Sequence, residues 1–416
     1  MNILMVTPRF LPEMGGIETH VYEVSRRLVA MGHAVTVLTT DRSGHLLPTE
    51  QMQGVQVHRV SAWPKQRDYY VAPAIYHRIR ASAADVMHVQ GYHTFVPPLA
   101  MAAALSRRMP YVVTFHSGGH SSPLRNLVRL PQHHLLAPLI RRAAQCIGVS
   151  QFEAEFFCQR MKLRQCAVIS NGGQMPSVSG VALNPEPLIV SIGRLERYKG
   201  HHRILDAFPT ILETLPHARL RILGEGPYKL ELIRRAARLR LQERVEIGGI
   251  PPTDRMGVAT VLARAALVVL LSDYEAHPVG VMEALTLGRR VLVADGSGLR
   301  ELVEHDAVEA IPLQATPRQI AAAALAQLAK GPMRRPMALP SWEDCAERLA
   351  AIYQSVLHYR IPPPSRSRSC LGSDFGDQNE QKSGSGDCRG GFEQSRRCPQ
   401  PSWPQHADLC RWQIAV

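Results

Sequence analysis

Two carboxylates, Glu275 and Glu283, stand eight positions apart in the segment Ser272-Asp273-Tyr274-Glu275-Ala276-His277-Pro278-Val279-Gly280-Val281-Met282-Glu283-Ala284-Leu285. The segment follows the apolar run Ala266–Leu271, which reads as a buried strand. Pro278 suits the first turn of a helix, where the N–H it lacks has no intrahelical partner. Glu275 then lies in the loop ahead of that helix, and Glu283 just over one turn inside it. The helix N-terminus between them offers partial positive charge to an anion. Carboxylates at these two levels can grip hydroxyls at opposite ends of one ligand. The plainer alternative is a surface Glu plus a helical Glu paired with an Arg.

A second stretch, Ser191-Ile192-Gly193-Arg194-Leu195-Glu196-Arg197-Tyr198-Lys199-Gly200, follows the apolar run Leu188–Ile192. Arg194 and Lys199 bracket one loop. A guanidinium and an ammonium converging there suit a diphosphate, whose charge must be neutralised as it departs. Two solvated surface cations are the alternative. Near the start, Pro12-Glu13-Met14-Gly15-Gly16-Ile17-Glu18 joins a first strand to a helix. Gly15 and Gly16 let backbone approach a ligand, and the helix behind them aims N–H groups at it. The carboxyl end of a strand is where ligands sit in open α/β sheets. A flexible loop without a ligand would read the same way.

These loops need strands and helices to hold them, and the pattern supplies both. Short β-rich runs alternate with helical stretches, which argues for an α/β fold of parallel sheets covered by helices. Strands are expected at Ile3–Thr7, Ala34–Thr39, Gln56–Val60, Val86–Gln90, Tyr111–Phe115 and Cys146–Val149. Helices are expected at Gly16–Met31, Phe95–Arg107, Pro123–Ala144 and Phe152–Cys158. The rhythm breaks after Asn171-Gly172-Gly173 and restarts with strands at Leu188–Ile192, Arg219–Leu223, Val245–Ile247, Ala266–Leu271 and Arg290–Ala294. Two Rossmann-like domains follow, 1–172 and 187–340, with a linker over 173–186 and a closing helix over 341–360. Beyond Ile361 the chain is rich in Pro, Ser, Gly and Arg with no periodicity, so 361–416 is expected to be a disordered tail.

At 416 residues the chain suits two domains. No apolar run approaches the roughly 20 residues that span a bilayer. The N-terminus runs directly into strand-like sequence with no basic leader, so a cytoplasmic protein is expected. Its eight cysteines form no C-x-x-C pair, and no Asp-Xaa-Asp sits at a strand end, so no metal is implied. The net charge of +13 favours anionic partners. No Asp or Glu occurs between Asp85 and Glu153. Within that stretch Arg125, Arg129, Arg141 and Arg142 interleave with leucines, as in a helix lying on an anionic bilayer. A core-packed helix with ordinary surface arginines fits equally. Aromatic residues are only 6%, and no recognised nucleic-acid motif appears, so nucleic acid is not an expected partner.

Together these segments resemble glycosyltransferase family 4, the retaining glycosyltransferases of the GT-B fold. The Glu275–Glu283 segment resembles the family's E-x7-E motif. Pro12–Glu18 with Gly32-His33 resembles its opening Gly-Gly segment, and Gly193-Arg194-Leu195 with Lys199-Gly200 its Gly-Arg-Leu…Lys-Gly segment. Leu223-Gly224-Glu225-Gly226-Pro227 resembles its Gly-Xaa-Gly-Pro turn, and Asp295-Gly296-Ser297-Gly298 with Glu301 its late glycine block. The matches run collinearly over about residues 1–360.

The resemblance implies two domains facing a cleft and roles for single residues. Arg194 and Lys199 would hold the donor diphosphate. Glu283 would bind the nucleotide ribose, and Glu275 would contact the donor sugar. Gly16 would bring N–H groups to the distal phosphate. His116 would stand near the sugar, with His120 as its rival. Gly224 belongs to the Gly-Xaa-Gly-Pro turn, and the backbone of Gly249 and Ile250 would read the base. Asn171 would end the first domain. The donor is expected to be a UDP- or GDP-sugar acting as substrate, with no cofactor. The acceptor, on the first domain, is expected to be a glycan, a lipid-linked or a small molecule, at the inner membrane face where the basic segment allows.

The chain departs from the family at Ala276-His277-Pro278, which replaces a glycine-rich loop; Pro278 donates no N–H. It departs also at Arg289-Arg290 and after Asn171-Gly172-Gly173. Other readings are another GT-B enzyme, such as an epimerase or phosphorylase, and a non-catalytic homologue binding a sugar nucleotide. A Rossmann dehydrogenase fails because no G-x-G-x-x-G follows the first strand.

Overall fold

The computed structural model describes residues 1–13, 15–65, 70–116, 123–178, 180–182, 185–251, 254–303, 307–331, 333 and 339–358, with side chains of 123–130 left aside. The tail 361–416, His120 and the side chains of Arg125 and Arg129 lie outside the described residues.

The first half contains β1 (Asn2–Val6), α1 (Gly16–Ala30), β2 (Ala34–Asp41), β3 (Thr49–Met52), β4 (Val55–Ser61), α2 (Ala74–Ala81) and β5 (Val86–Gln90). It continues through α3 (Val96–Ser106), β6 (Tyr111–Phe115), α4 (Pro123–Ile140), β7 (Gln145–Gly148), α5 (Gln151–Met161) and β8 (Ala167–Val168). Its eight strands form one sheet in the order β3-β4-β2-β1-β5-β6-β7-β8. Every pair is parallel except β3 against β4. All five residues of β5 and of β6 are buried, as expected for central parallel strands covered on both faces.

The second half contains β9 (Leu188–Ile192), α6 (His201–Thr214), β10 (Arg219–Leu223), α7 (Lys229–Arg238), β11 (Val245–Gly248) and α8 (Arg255–Arg264). Then come β12 (Leu267–Leu270), α9 (Val279–Thr286), β13 (Val291–Asp295), β14 (Val308–Pro312), α10 (Pro317–Ala329) and α11 (Trp342–His358). The six strands form an all-parallel sheet in the order β11-β10-β9-β12-β13-β14. Counted within this half, that is the 3-2-1-4-5-6 order of a doubly wound sheet.

Helix α11 does not stay with the sheet that precedes it. Its buried face, Trp342, Cys345, Leu349 and Tyr353, packs into the core of the first half with Ile3, Met5, Val21, Val24 and Leu28. The Tyr353 hydroxyl lies 2.6 Å from His88 Nδ1, and His88 Nε2 lies 2.6 Å from Thr114 Oγ1. The chain therefore crosses between the halves twice. The two crossings are tied where the Gly173 N–H donates to the Pro340 carbonyl at 3.1 Å. Gly172 must be glycine there, because a Cβ would fall 2.4 Å from the Trp342 backbone nitrogen.

The expected strands are present to within a residue or two, but four elements escape the sequence pattern. β3 (Thr-Glu-Gln-Met) is polar and survives as an antiparallel edge. β8 has only two residues, β14 ends in a proline, and α2 is a two-turn helix without an acidic start. Helix α4 stops at Ile140 rather than Ala144, where Arg141–Ala143 turn into β7. Pro278 is the cap of α9, one position outside the helix expected to contain it, with φ −75° and ψ 110°.

Candidate active site

A doubly wound sheet binds ligands outside the carboxyl ends of its strands, where neighbouring connections leave to opposite faces. In the second sheet that point lies between β9 and β12, in the first between β1 and β5. The loops leaving all four strands line one cavity of about 570 Å³. The cavity thus brings Gly15, Gly16 and His93 of the first half together with Arg194, Lys199 and Glu275 of the second.

Lys199 sits at the end of a short 3-10 turn, Arg197–Lys199. The turn is closed by Gly200 at φ +73°, where a Cβ would lie 1.9 Å from the Leu271 carbonyl oxygen. Gly224, at φ +157°, is equally fixed, because a Cβ there would lie 1.9 Å from the Gly193 carbonyl oxygen. Lys199 Nζ donates to Glu275 Oε1 at 2.5 Å, and Ser272 Oγ donates to the same oxygen at 2.7 Å. Burial opposes the ammonium, but the charge and hydrogen bond of Glu275 together with Tyr198 outweigh it, and the Lys199 pKa stands above its ordinary value. The late glycine block explains its own place here: the Glu275 N–H donates to Ser297 Oγ at 2.8 Å, and Gly298 N–H to the Glu275 carbonyl at 2.9 Å.

Arg194 keeps its guanidinium half-exposed, 3.2 Å from Glu196. Its backbone carbonyl is held by His201 Nε2 at 3.1 Å, and His201 Nδ1 meets Ser191 Oγ at 2.8 Å. Burial holds His201 neutral, with its pKa down to about 4. Across the cleft, the Glu18 carboxylate folds back over Gly15 at the N-terminus of α1, its Oε2 2.8 Å from where a Gly15 Cβ would stand. Burial raises the Glu18 pKa against the pull of Arg9 and Arg194.

His116 is 7% exposed, with Nε2 2.7 Å from Gln90 Oε1. The Gln90 amide nitrogen points to Met5 Sδ at 3.7 Å, so its oxygen accepts and His116 Nε2 carries the hydrogen. Burial keeps His116 neutral. His20 stacks edge-on at 4.8 Å and meets Asn171 Oδ1 at 2.9 Å, while Asn171 Nδ2 donates to the His277 carbonyl at 3.1 Å. Asn171 therefore bridges the two cleft walls.

At the far end of the cleft Glu283 is 3% exposed, and Arg255 Nη2 donates to its Oε1. Burial raises the Glu283 pKa and Arg255 pulls it down. The Gly249 N–H already donates to Glu225 Oε1 at 2.9 Å, beside Ile250. Pro278, Val279 and Gly280 lead into α9 on the cavity wall with His277, whose pKa burial lowers to about 4.

Of the expected site residues, the structure gathers His116, Arg194, Lys199, Glu275, Glu283, Gly15, Gly16, Gly193, Gly224, Gly249, Ile250, His277, Pro278, Val279 and Gly280 around this cavity. It does not bring Arg141 and Arg142 there. They lie beyond the C-terminal end of α4, next to the start of β7 and opposite the cleft, and Arg141 Nε donates to the Met161 carbonyl at 2.7 Å. Sequence reasoning missed His20, Gln90, His201 and Arg255. A polar residue inside an apolar run, such as Gln90 in Val-Met-His-Val-Gln, was the one available signal. Among the described residues no helix is long and apolar enough to cross a membrane, and no group of His, Cys, Asp and Glu is placed to hold a metal ion.

Two parallel-sheet Rossmann-like halves, with their switch points on one cleft, make this a GT-B fold. Residues 14–172 match Glycosyltransferase Family 4, and residues 179–338 match Glycosyl transferases group 1. The chain belongs to this glycosyltransferase family and is a glycosyltransferase. It is 26% identical over 379 residues to a phosphatidylinositol N-acetylglucosaminyltransferase subunit of Arabidopsis thaliana, covering 86% of this chain and 82% of that one. It is 28% identical over 335 residues to the glycogen synthase of Mycobacterium tuberculosis, covering 73% and 80%. Among solved structures, the sucrose-phosphate synthase of Thermosynechococcus elongatus superposes with a TM-score of 0.65 at 18% identity, over 86% of this chain and 99% of that one. An Anabaena protein, HepE, solved with UDP and glucose, superposes at 0.61 and 18%, over 86% and 98%.

Proposed function

We propose that the protein is a retaining hexosyltransferase, moving a sugar from a nucleoside-diphosphate sugar to a hydroxyl of a glycan, lipid-linked or small-molecule acceptor. The observation that carries this reading is the buried Lys199–Glu275 pair at 2.5 Å, set beside Arg194 and opposite Gly15 and Gly16. On this reading Lys199 and Arg194 take the diphosphate, whose charge grows as the bond to the sugar breaks. Glu275 and the neutral His116 address sugar hydroxyls. Glu283 takes the ribose, and the backbone at Ile250 meets the base. Acceptor and leaving phosphate share one face of the sugar. The acceptor oxygen bonds the anomeric carbon as the phosphate oxygen departs and receives the acceptor's proton, with no enzyme nucleophile. Positioning and charge stabilisation then supply the rate.

Two cations, Lys199 and Arg194, line the cavity and would neutralise the diphosphate, which supports metal-independent transfer. A lipid-linked acceptor at the inner membrane face, in the cytoplasm, is supported by the acid-free basic stretch before Glu153 and by the phosphatidylinositol-directed name of one relative.

Calorimetry with UDP, GDP and ADP tests the donor site. Micromolar binding of one nucleotide, lost in the Arg194→Ala/Lys199→Ala double variant, is expected. Absence of binding to all three by folded protein rejects the reading. Proton NMR of the product then reads the anomeric configuration, and an inverted product rejects retention.

A further inference from the structure

Arg255 occupies an unfavourable place for a cation. It is the first residue of α8, directly after the cap Asp254, whose carboxylate accepts from the Gly257 N–H at 2.7 Å. The positive end of the helix dipole disfavours a guanidinium there. Yet its side chain is held on two sides: Nη2 donates to Glu283 Oε1 on α9 and lies 3.0 Å from Met175 Sδ, in the stretch joining the two sheets. Both Arg255 and Glu283 line the cavity. An ionised carboxylate has about four acceptor positions, and the guanidinium uses one, which leaves capacity for further donors.

We infer that Arg255 is a positioning residue that holds Glu283 ionised and oriented to accept from both ribose hydroxyls, making the site selective for ribonucleotides over deoxyribonucleotides. The inference rests on the donor site proposed above. Two charged groups face Glu283: Arg255 from α8, and Glu23 from α1, which opposes ionisation. Glu23 is itself paired with Arg26 and Arg27. Arg255 is thus the cation that opposes the burial of Glu283, which still leaves its pKa above the ordinary value. A pocket built around hydroxyl donors rejects a ligand lacking one because its acceptor is left unpaired.

The test is calorimetry on the full chain, using whichever of UDP, GDP and ADP the wild type binds, and its 2′-deoxy counterpart. Wild type, Arg255→Met and Arg255→Lys are compared at about pH 6 and pH 8.5. The wild type should prefer the ribonucleotide by at least about 10-fold. Arg255→Met should weaken the ribonucleotide about 10-fold at pH 6 and less at pH 8.5, and the 2′-deoxynucleotide, which keeps only the 3′-hydroxyl, by clearly less, so that most of the preference is lost. Arg255→Lys should restore the flat pH response. An equal loss for both nucleotides at both pH values, or no loss, overturns the role of Arg255 while leaving the donor site standing. A wild type that binds none of the three nucleotides overturns the donor site, and this inference with it. If Arg255→Met does not fold, Arg255→Gln carries the same comparison.

Discussion

Replacing Lys199 by alanine separates what this lysine does for the fold from what it does for the reaction. The two charges stand 2.5 Å apart, with the side chains 16% and 8% exposed. At an effective dielectric of about 20 their gross attraction is roughly 7 kcal/mol. Desolvation of both groups offsets much of that, but deleting one partner strands a buried carboxylate, at a cost of about 3–5 kcal/mol. Ser272 Oγ still donates to Glu275, which favours the lower end. Loss of one fixed cation from a developing diphosphate costs about 10²–10³ in kcat. The double variant Lys199→Ala/Glu275→Gln removes the stranded charge, so most of the stability should return in urea unfolding. Turnover, followed as nucleotide release, should not return. Recovery of turnover in the double variant, or a single variant within about threefold of wild type, refutes the reasoning. The pH sign agrees with this role. A lysine raised by its partner contributes fully below its unfolded pKa of about 10.4 and loses that contribution only as pH climbs through the higher folded value. Neither stability nor turnover should show a Lys199 limb below about pH 10.

Glu18→Gln removes the carboxylate that lies over Gly15 at the positive end of α1, so a nucleoside diphosphate should bind more tightly by about 1 kcal/mol, roughly fivefold. Unchanged or weaker affinity by calorimetry rejects the placement. Gly200→Ala puts a Cβ against the Leu271 carbonyl at φ +73° and should destabilise the chain by more than about 1–2 kcal/mol in urea unfolding; a wild-type midpoint contradicts the geometry. Burial holds His20, His201 and His277 down to about 4 and His88 to about 3. Their stabilising effect is present above the unfolded value of about 6.5 and is lost as pH falls toward 4. Glu18, Asp273 and Glu283, raised by burial, act in the opposite sense but are three groups against four deep shifts. Asp41, lowered to about 2 although its partial burial opposes this, because Ser43 and the backbone N–H groups of Leu46, Gly44 and Ser43 donate to it, contributes its loss only below about 3.8. Unfolding free energy should therefore decline from pH 6.5 to 4.5, and a flat profile there counts against neutral buried histidines.

The doubly wound halves were legible because parallel central strands are buried on both faces and read as unbroken apolar runs, as in Leu267–Leu270. The loop residues were legible because a ligand cleft at strand ends constrains type and spacing locally. What escaped was held by partners remote in sequence. Glu283 depends on Arg255, 28 positions away, and His20 on Asn171, 151 positions away. β3 escaped because Thr49–Met52 has no apolar face, and its pairing with β4 alone makes it a strand. The basic stretch did not say where Arg141 and Arg142 would lie relative to the cleft, since charge content carries no information about which end of α4 faces it.

The return of α11 to the first sheet sets an order of events during synthesis. The face of β1 and α1 made of Ile3, Met5, Val21 and Leu28 is translated first, yet Trp342, Leu349 and Tyr353, which cover it, come near the end of the described chain. At typical ribosomal speeds the stretch from Asn171 to His358 takes roughly 10–40 s. For that interval the earliest-made core stands open on one side, and His88 waits for its tyrosine. A fragment ending at the first linker never receives that cover, whereas residues 341–358 supplied as a separate peptide could provide it.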